Sequence, residues 1–251
     1  MRSRKNIPTD NIDNDITMLF YDSDETYGYR RLLTAIRSLG YTISENKLRK
    51  KIKKLGLICK IRIKKRKYKY EHSDNITKKN ILNRNFKSVY PNHKYCVDIT
   101  QIYTKKNIVY LNIIRDLFNG ELVAFKTSYN CNSRLAEDTI DLLASKRNIS
   151  HSIIHSDQGT SYTSKAYAKK LEDLNVIQSM SRKGCPYDNS LAENFFSIFK
   201  AEKLHRIKYQ LEDIDSVNEL VEEYILFFNN KRISTALGGL TPKQYYDKNC
   251  I

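Results

Sequence analysis

What most restricts the fold of this chain is a change of hydrophobic period at Pro91. Beyond it, three runs rich in β-branched and aromatic residues, Tyr95–Thr104, Ile108–Leu117 and Leu122–Tyr129, are separated by the turn segments Lys105–Asn107 and Asn119–Gly120. Runs of that composition joined by short turns predict three antiparallel strands in a meander. A helical pattern then covers Ser133–Lys146, followed by a short buried strand at Ser152–His155, a helix at Ser164–Leu174 and a strand at Val176–Met180. Long helices fit roughly 191–205 and 214–229. That order of elements is a mixed α/β domain.

Ahead of Pro91 the chain reads differently. Leu32, Leu33, Ile36 and Leu39 recur at helical spacing and stop at Gly40. A second helix opens at Ser44, suited to cap it, and carries Leu48, Ile52 and Leu55 before Gly56. Its other face is basic, with Arg49, Lys50 and Lys53. Two helices around a short turn with such a face predict a helix-turn-helix-like unit. Charge supports a polyanion partner: the chain carries +16, of which +14 falls in residues 1–90. Residues 47–69 hold 13 Lys/Arg and no acid, including Lys64, Lys65, Arg66 and Lys67, with Tyr68 and Tyr70 offering rings to bases or sugars. Residues 71–90 are polar, rich in Asn and Lys, and unpatterned, as a linker would be.

Other classes are set aside by absences. The longest apolar run is Tyr224–Phe228, far short of the ~18 residues that cross a bilayer. No secretory h-region opens the chain, and five scattered cysteines (Cys59, Cys96, Cys131, Cys185, Cys250) without C-x-x-C fit reduced thiols in a cytoplasm.

Three acids occupy unusual places. Asp98 interrupts the apolar run Tyr-Cys-Val-Asp-Ile-Thr, Asp157 follows the buried strand with Gly159 just beyond, and Glu193 lies in the first turn of a helix bearing Phe195, Phe196, Ile198 and Phe199. Each has a plain structural alternative: a solvent-facing strand residue, an Asx turn before Gly159, and a capping box closed with Ser190. Three carboxylates brought together would repel one another, and a hard divalent cation such as Mg²⁺ or Mn²⁺ would relieve that repulsion.

The spacing carries a resemblance. Asp157 and Glu193 are separated by 35 residues, and with Asp98 on the first strand this is similar to the DDE core of retroviral integrases and insertion-sequence transposases. The run His155-Ser156-Asp157-Gln158-Gly159-Thr160-Ser161-Tyr162-Thr163-Ser164, the loop Ser179 to Ser190, and Glu193 with Lys200 seven residues on resemble successive blocks of that core. So do Tyr224-Ile225 through Asn229-Asn230-Lys231-Arg232 to Thr241-Pro242, while Tyr27-Gly28-Tyr29-Arg30-Arg31 resembles the helix-turn-helix that precedes the core within the same second-frame product. The chain is thereby identified as resembling the second-frame (OrfB) product of the IS-three family. One departure is Tyr95, where the family commonly has Trp.

The resemblance implies a ribonuclease H-like α/β fold: a mixed five-stranded sheet with flanking helices, preceded by a small all-α helix-turn-helix-like module. Its expected organisation is residues 1–70 for DNA binding, 71–90 as linker, 91–210 as catalytic core and 211–251 as a C-terminal helical extension. It implies a DDE-type polynucleotidyl transferase that cuts and joins DNA at insertion-sequence ends, with Asp98, Asp157 and Glu193 holding two Mg²⁺ or Mn²⁺ ions about 3.5–4 Å apart. A non-catalytic DNA-binding regulator and a same-fold structure-selective nuclease are the alternatives. Lys200 is expected at a terminal phosphate, Arg182 and Lys183 at the DNA backbone, and Asn189 as cap of the catalytic helix, with orientation of the preceding loop as its alternative. His155 is expected to support the Asp157 turn. Expected partners are the terminal inverted repeats and target DNA, a second copy of the chain on DNA, and the upstream first-frame product as a frameshift fusion, in a nucleoid-associated bacterial cytoplasmic protein.

Overall fold

A computed structural model describes residues 11–59, 77–207 and 210–250; Lys64, Lys65, Arg66 and Lys67 lie outside them. The N-terminal unit is three helices, α1 (Ile12–Asp22), α2 (Tyr29–Ser38) and α3 (Glu45–Lys54). α1 was not legible, because acids interrupt its single apolar row of Ile12, Ile16 and Phe20, all buried. α2 ends as expected at Gly40, whose φ of +92° lets its N–H reach Arg37 C=O while Tyr41 N–H reaches Ile36 C=O. Ser44 caps α3 by accepting a hydrogen bond from Lys47 N–H. Leu32, Ile36, Ile43 and Leu48 join the three helices in one small core. Leu39, expected on the buried stripe, is exposed, because α2 has already ended and Leu39 is its C-cap.

The second unit is built on β1 (Lys94–Tyr103), β2 (Ile108–Asp116), β3 (Leu122–Ser128), β4 (Ile153–Ser156) and β5 (Ile177–Met180). They form one sheet in the order β3-β2-β1-β4-β5. The first three strands are the antiparallel meander, and β4 and β5 add to β1 in parallel through helical crossovers. The helices are α4 (Ser133–Lys146), α5 (Lys165–Asp173), α6 (Ser190–Phe199), the short turn α7 (His205–Ile207), α8 (Ile214–Asn230) and α9 (Pro242–Asn249).

Strand alternation divides these helices between two faces. Tyr95 and Val97 of β1 and Ile114 of β2 pack with Ala136, Ile140 and Leu143 of α4 and with Tyr167 and Leu171 of α5. Ile102 of β1 and Val109, Leu111 and Ile113 of β2 meet Phe195, Phe196 and Phe199 of α6 and Val217, Leu220, Val221, Tyr224 and Phe228 of α8. A strand buried on both sides explains why this sheet reads as near-continuous apolar runs. Asp98, on the even side of β1, therefore faces α6.

Two expectations are corrected here. The helix expected over 191–205 is not uniform: after Phe199 it widens into a π-helical turn, Lys200–Leu204, before α7. Glu202 in that turn accepts hydrogen bonds from Arg232 Nε and Nη2 (2.8 Å each), Tyr224 Oη (2.8 Å) and Arg31 Nη1 (3.3 Å), a pull from several directions that a hydrophobic pattern cannot register. The supposed linker is also, over residues 77–90, not free. Leu82 is buried and the backbone of Lys79, Ile81 and Leu82 is bonded to β5, because these few apolar side chains fill a gap between β1 and α6.

The two units touch. Tyr27 Oη donates to Lys231 C=O (3.1 Å) and accepts from Ile233 N–H (2.8 Å). Together with the Arg31–Glu202 pair and the Arg206–Asp24 pair, this docks the N-terminal unit on α8 and the π turn.

Candidate active site

Pairing register brings the first two acids together. β1 and β4 run parallel with Cys96 opposite His155 as their last pair; Asp98 and Asp157 each follow two residues on, close enough for the charge of Asp157 to act on Asp98. Asp98 is also opposite Ile113, which packs under α6 and α8. Asp157 lies just past the end of β4, where its Oδ1 accepts Gly159 N–H at 2.9 Å. The Asx turn offered as its structural alternative is thus present, and it aims the carboxylate rather than replacing its other role. A Cβ at position 159 would fall 2.9 Å from Asp157 Oδ1, so any other residue there would push the carboxylate from its present position.

The third acid comes from α6. The capping-box alternative for Glu193 fails, because Ser190 is already the first helical residue and the N-cap is Asn189. Nor does Asn189 cap the helix through its side chain: Nδ2 donates instead to Val97 C=O (3.2 Å), one residue before Asp98. From below, Arg115 Nη1 donates to Leu191 C=O (2.9 Å). The first turn of α6 is therefore fastened to β1 and β2. Asp98, Glu193 and Lys200 line a common cleft of ≈ 310 Å³ with Thr100, Phe196 and Ser197. A larger surface cleft (≈ 450 Å³) between the N-terminal unit and α8 is lined by none of the three acids.

The electrostatics follow. Burial raises the Asp98 carboxyl well above the usual carboxylate range, and the charges of Asp157 and Glu193 raise it further, against the Ile99 N–H and Lys200. Burial likewise raises Asp157, opposed by its Gly159 hydrogen bond. An all-oxygen set of mutually repelling carboxylates suits a hard divalent cation. Among the described residues, however, no three Asp, Glu, His or Cys side chains stand close enough to hold one ion, so the expected cage is not preformed.

The remaining expected site residues are distributed as follows. Arg182 is engaged by Asp188 through Nε (2.8 Å) and Nη2 (3.0 Å), while Lys183 is exposed. On α3, Lys50 and Lys53 are exposed, and Arg49 pairs with Glu45 (2.6 Å) while its guanidinium lies 3.8 Å from the centre of the Tyr29 ring. His155 is fully buried; its Nδ1 meets Ser179 Oγ (2.8 Å) and burial lowers its pKa. It is a neutral link between β4 and β5. Asp188 and Glu202 have no counterpart among the expected site residues, because an acid in a polar stretch carries no sign of its distant partner; Asn189, expected at the start of the helix, fixes it by the tie to β1 rather than by a side-chain cap.

Known proteins bear on this geometry. The chain matches the integrase core domain over residues 89–186 and again over 193–249, and an HTH-like domain over 9–66. It is 33% identical to InsK of insertion sequence element IS150 from Escherichia coli (strain K12), over 92% of this chain and 81% of that protein. It is 30% identical to the transposase InsF for insertion sequence IS3A of the same strain, over 94% of this chain and 82% of that one. The chain belongs to the IS-three family of insertion-sequence transposases. The Lactococcus lactis (strain IL1403) transposase for element IS904, 27% identical, spans 97% of this transposase and is itself 96% covered. At the level of fold, the simian T-cell lymphotropic virus intasome structure in complex with PP2A regulatory subunit B56 gamma superposes with a TM-score of 0.54 at 17% identity, covering 92% of this chain and 74% of that one. This transposase is a DDE-type enzyme with an integrase core preceded by an HTH-like domain.

Proposed function

We propose that Asp98, Asp157 and Glu193 are the catalytic acids of this transposase and that they bind two Mg²⁺ or Mn²⁺ ions for cleavage and joining of DNA strands at the ends of its own element. The observation that supports the reading is the parallel β1–β4 pairing, with Asp98 and Asp157 each two residues beyond the Cys96–His155 pair, the Asp157 and Glu193 charges both acting on Asp98, and Glu193 sharing a cleft with Asp98. When bound, the cations would supply Lewis acidity at the phosphate and at the attacking and leaving oxygens. The chain's own part is placement. β1 and the Asx turn aim two carboxylates, and α6 delivers the third from the opposite wall of the cleft. Lys200, on that wall, would hold a terminal phosphate as a point charge.

In cleavage, a water oxygen attacks phosphorus, the P–O3′ bond breaks, and the 3′-oxygen takes up a proton. In joining, that 3′-OH attacks a target phosphodiester and a target 3′-oxygen leaves. Neither step needs a covalent link to the protein. Arg49, Lys50, Lys53, Lys64, Lys65, Arg66, Lys67 and Lys183 would neutralise backbone phosphates, and Arg182 would add its outward N–H groups while held by Asp188. The working particle would be an oligomer on paired ends, with the upstream first-frame product fused ahead of this chain.

Purified protein incubated with labelled element-end duplexes and Mn²⁺ tests the reading. Joined products with a new 3′-O–phosphate link are expected. Nicking of any duplex without joining would point to a nuclease, and binding without cleavage by the fused form would overturn the proposal.

A further inference from the structure

Residues 77–88 fall between the two matched stretches, 9–66 and 89–186, yet they are wedged between the elements that carry the acids. Buried Leu82 packs with Cys96, two residues before Asp98, and with Ala192, adjacent to Glu193; Phe86 and Leu191 flank them. Backbone bonds hold the wedge to β5: Ile81 and Leu82 N–H donate to Ser179 Oγ (2.9 and 3.2 Å), and Met180 N–H donates to Lys79 C=O (3.3 Å).

The wedge then turns through a conformation that side chains seldom adopt. Asn83 and Arg84 have φ of +43° and +62°, and Asn83 N–H is held by Asn80 Oδ1 at 2.7 Å. Backbone of this kind persists where its surroundings fix it and clusters at functional sites. Here it aims two donors at one carboxylate. Arg84 Nε reaches Asp188 Oδ1 (2.7 Å) and Asn80 Nδ2 reaches Oδ2 (2.9 Å), while Arg182 closes the other side through Nε, Nη2 and its backbone N–H (3.1 Å). Asp188 is fully buried within this ring of donors. Its neighbour Asn189 is tied to β1, and Glu193 follows within the first turns of α6.

We propose that residues 77–88 are a clasp belonging to the active site, in which Arg84 and Asn80 hold Asp188 and Asp188 fixes where α6 presents Glu193. The role is one of positioning, and it rests on reading Glu193 as a catalytic acid. With Arg84 gone, the charged donors to Asp188 are those of Arg182, on one side, and a buried carboxylate whose charged donors are one-sided shifts toward those that remain. Because Asp188 lies two residues before the first residue of α6, with only the N-cap Asn189 between, its movement shifts the helix start. A displacement near 1 Å at a reacting centre costs up to roughly 100-fold in rate.

The test uses the full chain with Arg84→Ala, Arg84→Lys and Asn80→Ala, followed by hydrogen exchange over residues 186–196, Mn²⁺ titration of duplex cleavage, and duplex affinity in EDTA. Arg84→Ala should speed exchange in that segment, lower kcat roughly 10- to 100-fold, raise the Mn²⁺ concentration for half-maximal rate, and leave affinity in EDTA unchanged. Arg84→Lys should restore most of the exchange protection, and Asn80→Ala should act in the same direction as Arg84→Ala. Unchanged exchange over 186–196 overturns the clasp. So does lost affinity with unchanged kcat, which would make Arg84 a phosphate contact. Should the wild-type chain bind Mn²⁺ and cleave no duplex, the catalytic reading fails, and the exchange and Mn²⁺-affinity results decide the clasp separately.

Discussion

Replacing Glu202 by alanine should be among the most damaging single changes away from the cleft. Its carboxylate takes both Arg232 hydrogen bonds at 2.8 Å, and the Arg232 side chain is only 5% exposed. Burial alone would raise Glu202, but the hydrogen bonds and charge of Arg232, with Arg31 and Tyr224 behind them, hold it below the usual range, so it is charged at neutral pH. Truncation leaves a buried guanidinium against the Phe228 ring, 5.1 Å from its centre, with Arg31 nearby as a like charge. Breaking a buried pair from one side costs about 3–5 kcal/mol. For a chain of this size each kcal/mol lowers the melting temperature by about 2–4 °C, giving a drop of about 6–20 °C. Calorimetry in EDTA measures it. Removing both partners, as in Glu202→Leu with Arg232→Met, should recover most of the loss, because the stranded charge goes too. A drop below about 2 °C, or a double variant no better than the single one, would refute the assignment of this pair as the joint between the π turn and α8.

The other expectations concern the acids, the docking and the basic run. Asp157→Asn should abolish cleavage while leaving duplex affinity largely intact, since it removes a proposed cation ligand and adds little positive field; normal nicking by the variant would remove Asp157 from the chemistry. Asp98 is raised in the fold, so between its unfolded value of about 3.9 and its folded value the native state binds more protons than the unfolded chain, and stability falls as pH rises through that window. Asp98→Asn should therefore melt higher than wild type at pH 7.5 in EDTA and lose that pH dependence; a lower melting temperature would contradict the repulsion. Tyr27→Phe should cost about 1–3 kcal/mol, because the half-buried groups at Lys231 and Ile233 lose their shared hydroxyl, which chemical denaturation would detect. Neutralising Lys64, Lys65, Arg66 and Lys67 should flatten the salt dependence of DNA binding by roughly 0.9 per lost phosphate contact, and an unchanged slope would exclude them from the interface.

Much of this protein is written in local pattern. The meander, the alternation after it, the stops at Gly40 and Gly56 and the Ser44 cap depend on side-chain period, left-handed glycines and a hydroxyl three residues from the N–H it accepts, all of which act over a few residues. The acids could be marked because a charge inside an apolar run is anomalous wherever the run folds. What tertiary structure alone decided are the ties made at a distance. Asn80 and Arg84 reach Asp188 across about a hundred residues of chain, Arg31 reaches Glu202 across 171, and Tyr27 reaches Ile233 across 206. A polar residue in a polar stretch gives no sign of which buried partner it will meet. The parallel pairing of β1 with β4, just ahead of Asp98 and Asp157, and the π turn that carries Glu202 to Arg232 arise only when two distant elements share one interface. There the desolvation of a charge is offset by geometry that neither element holds alone.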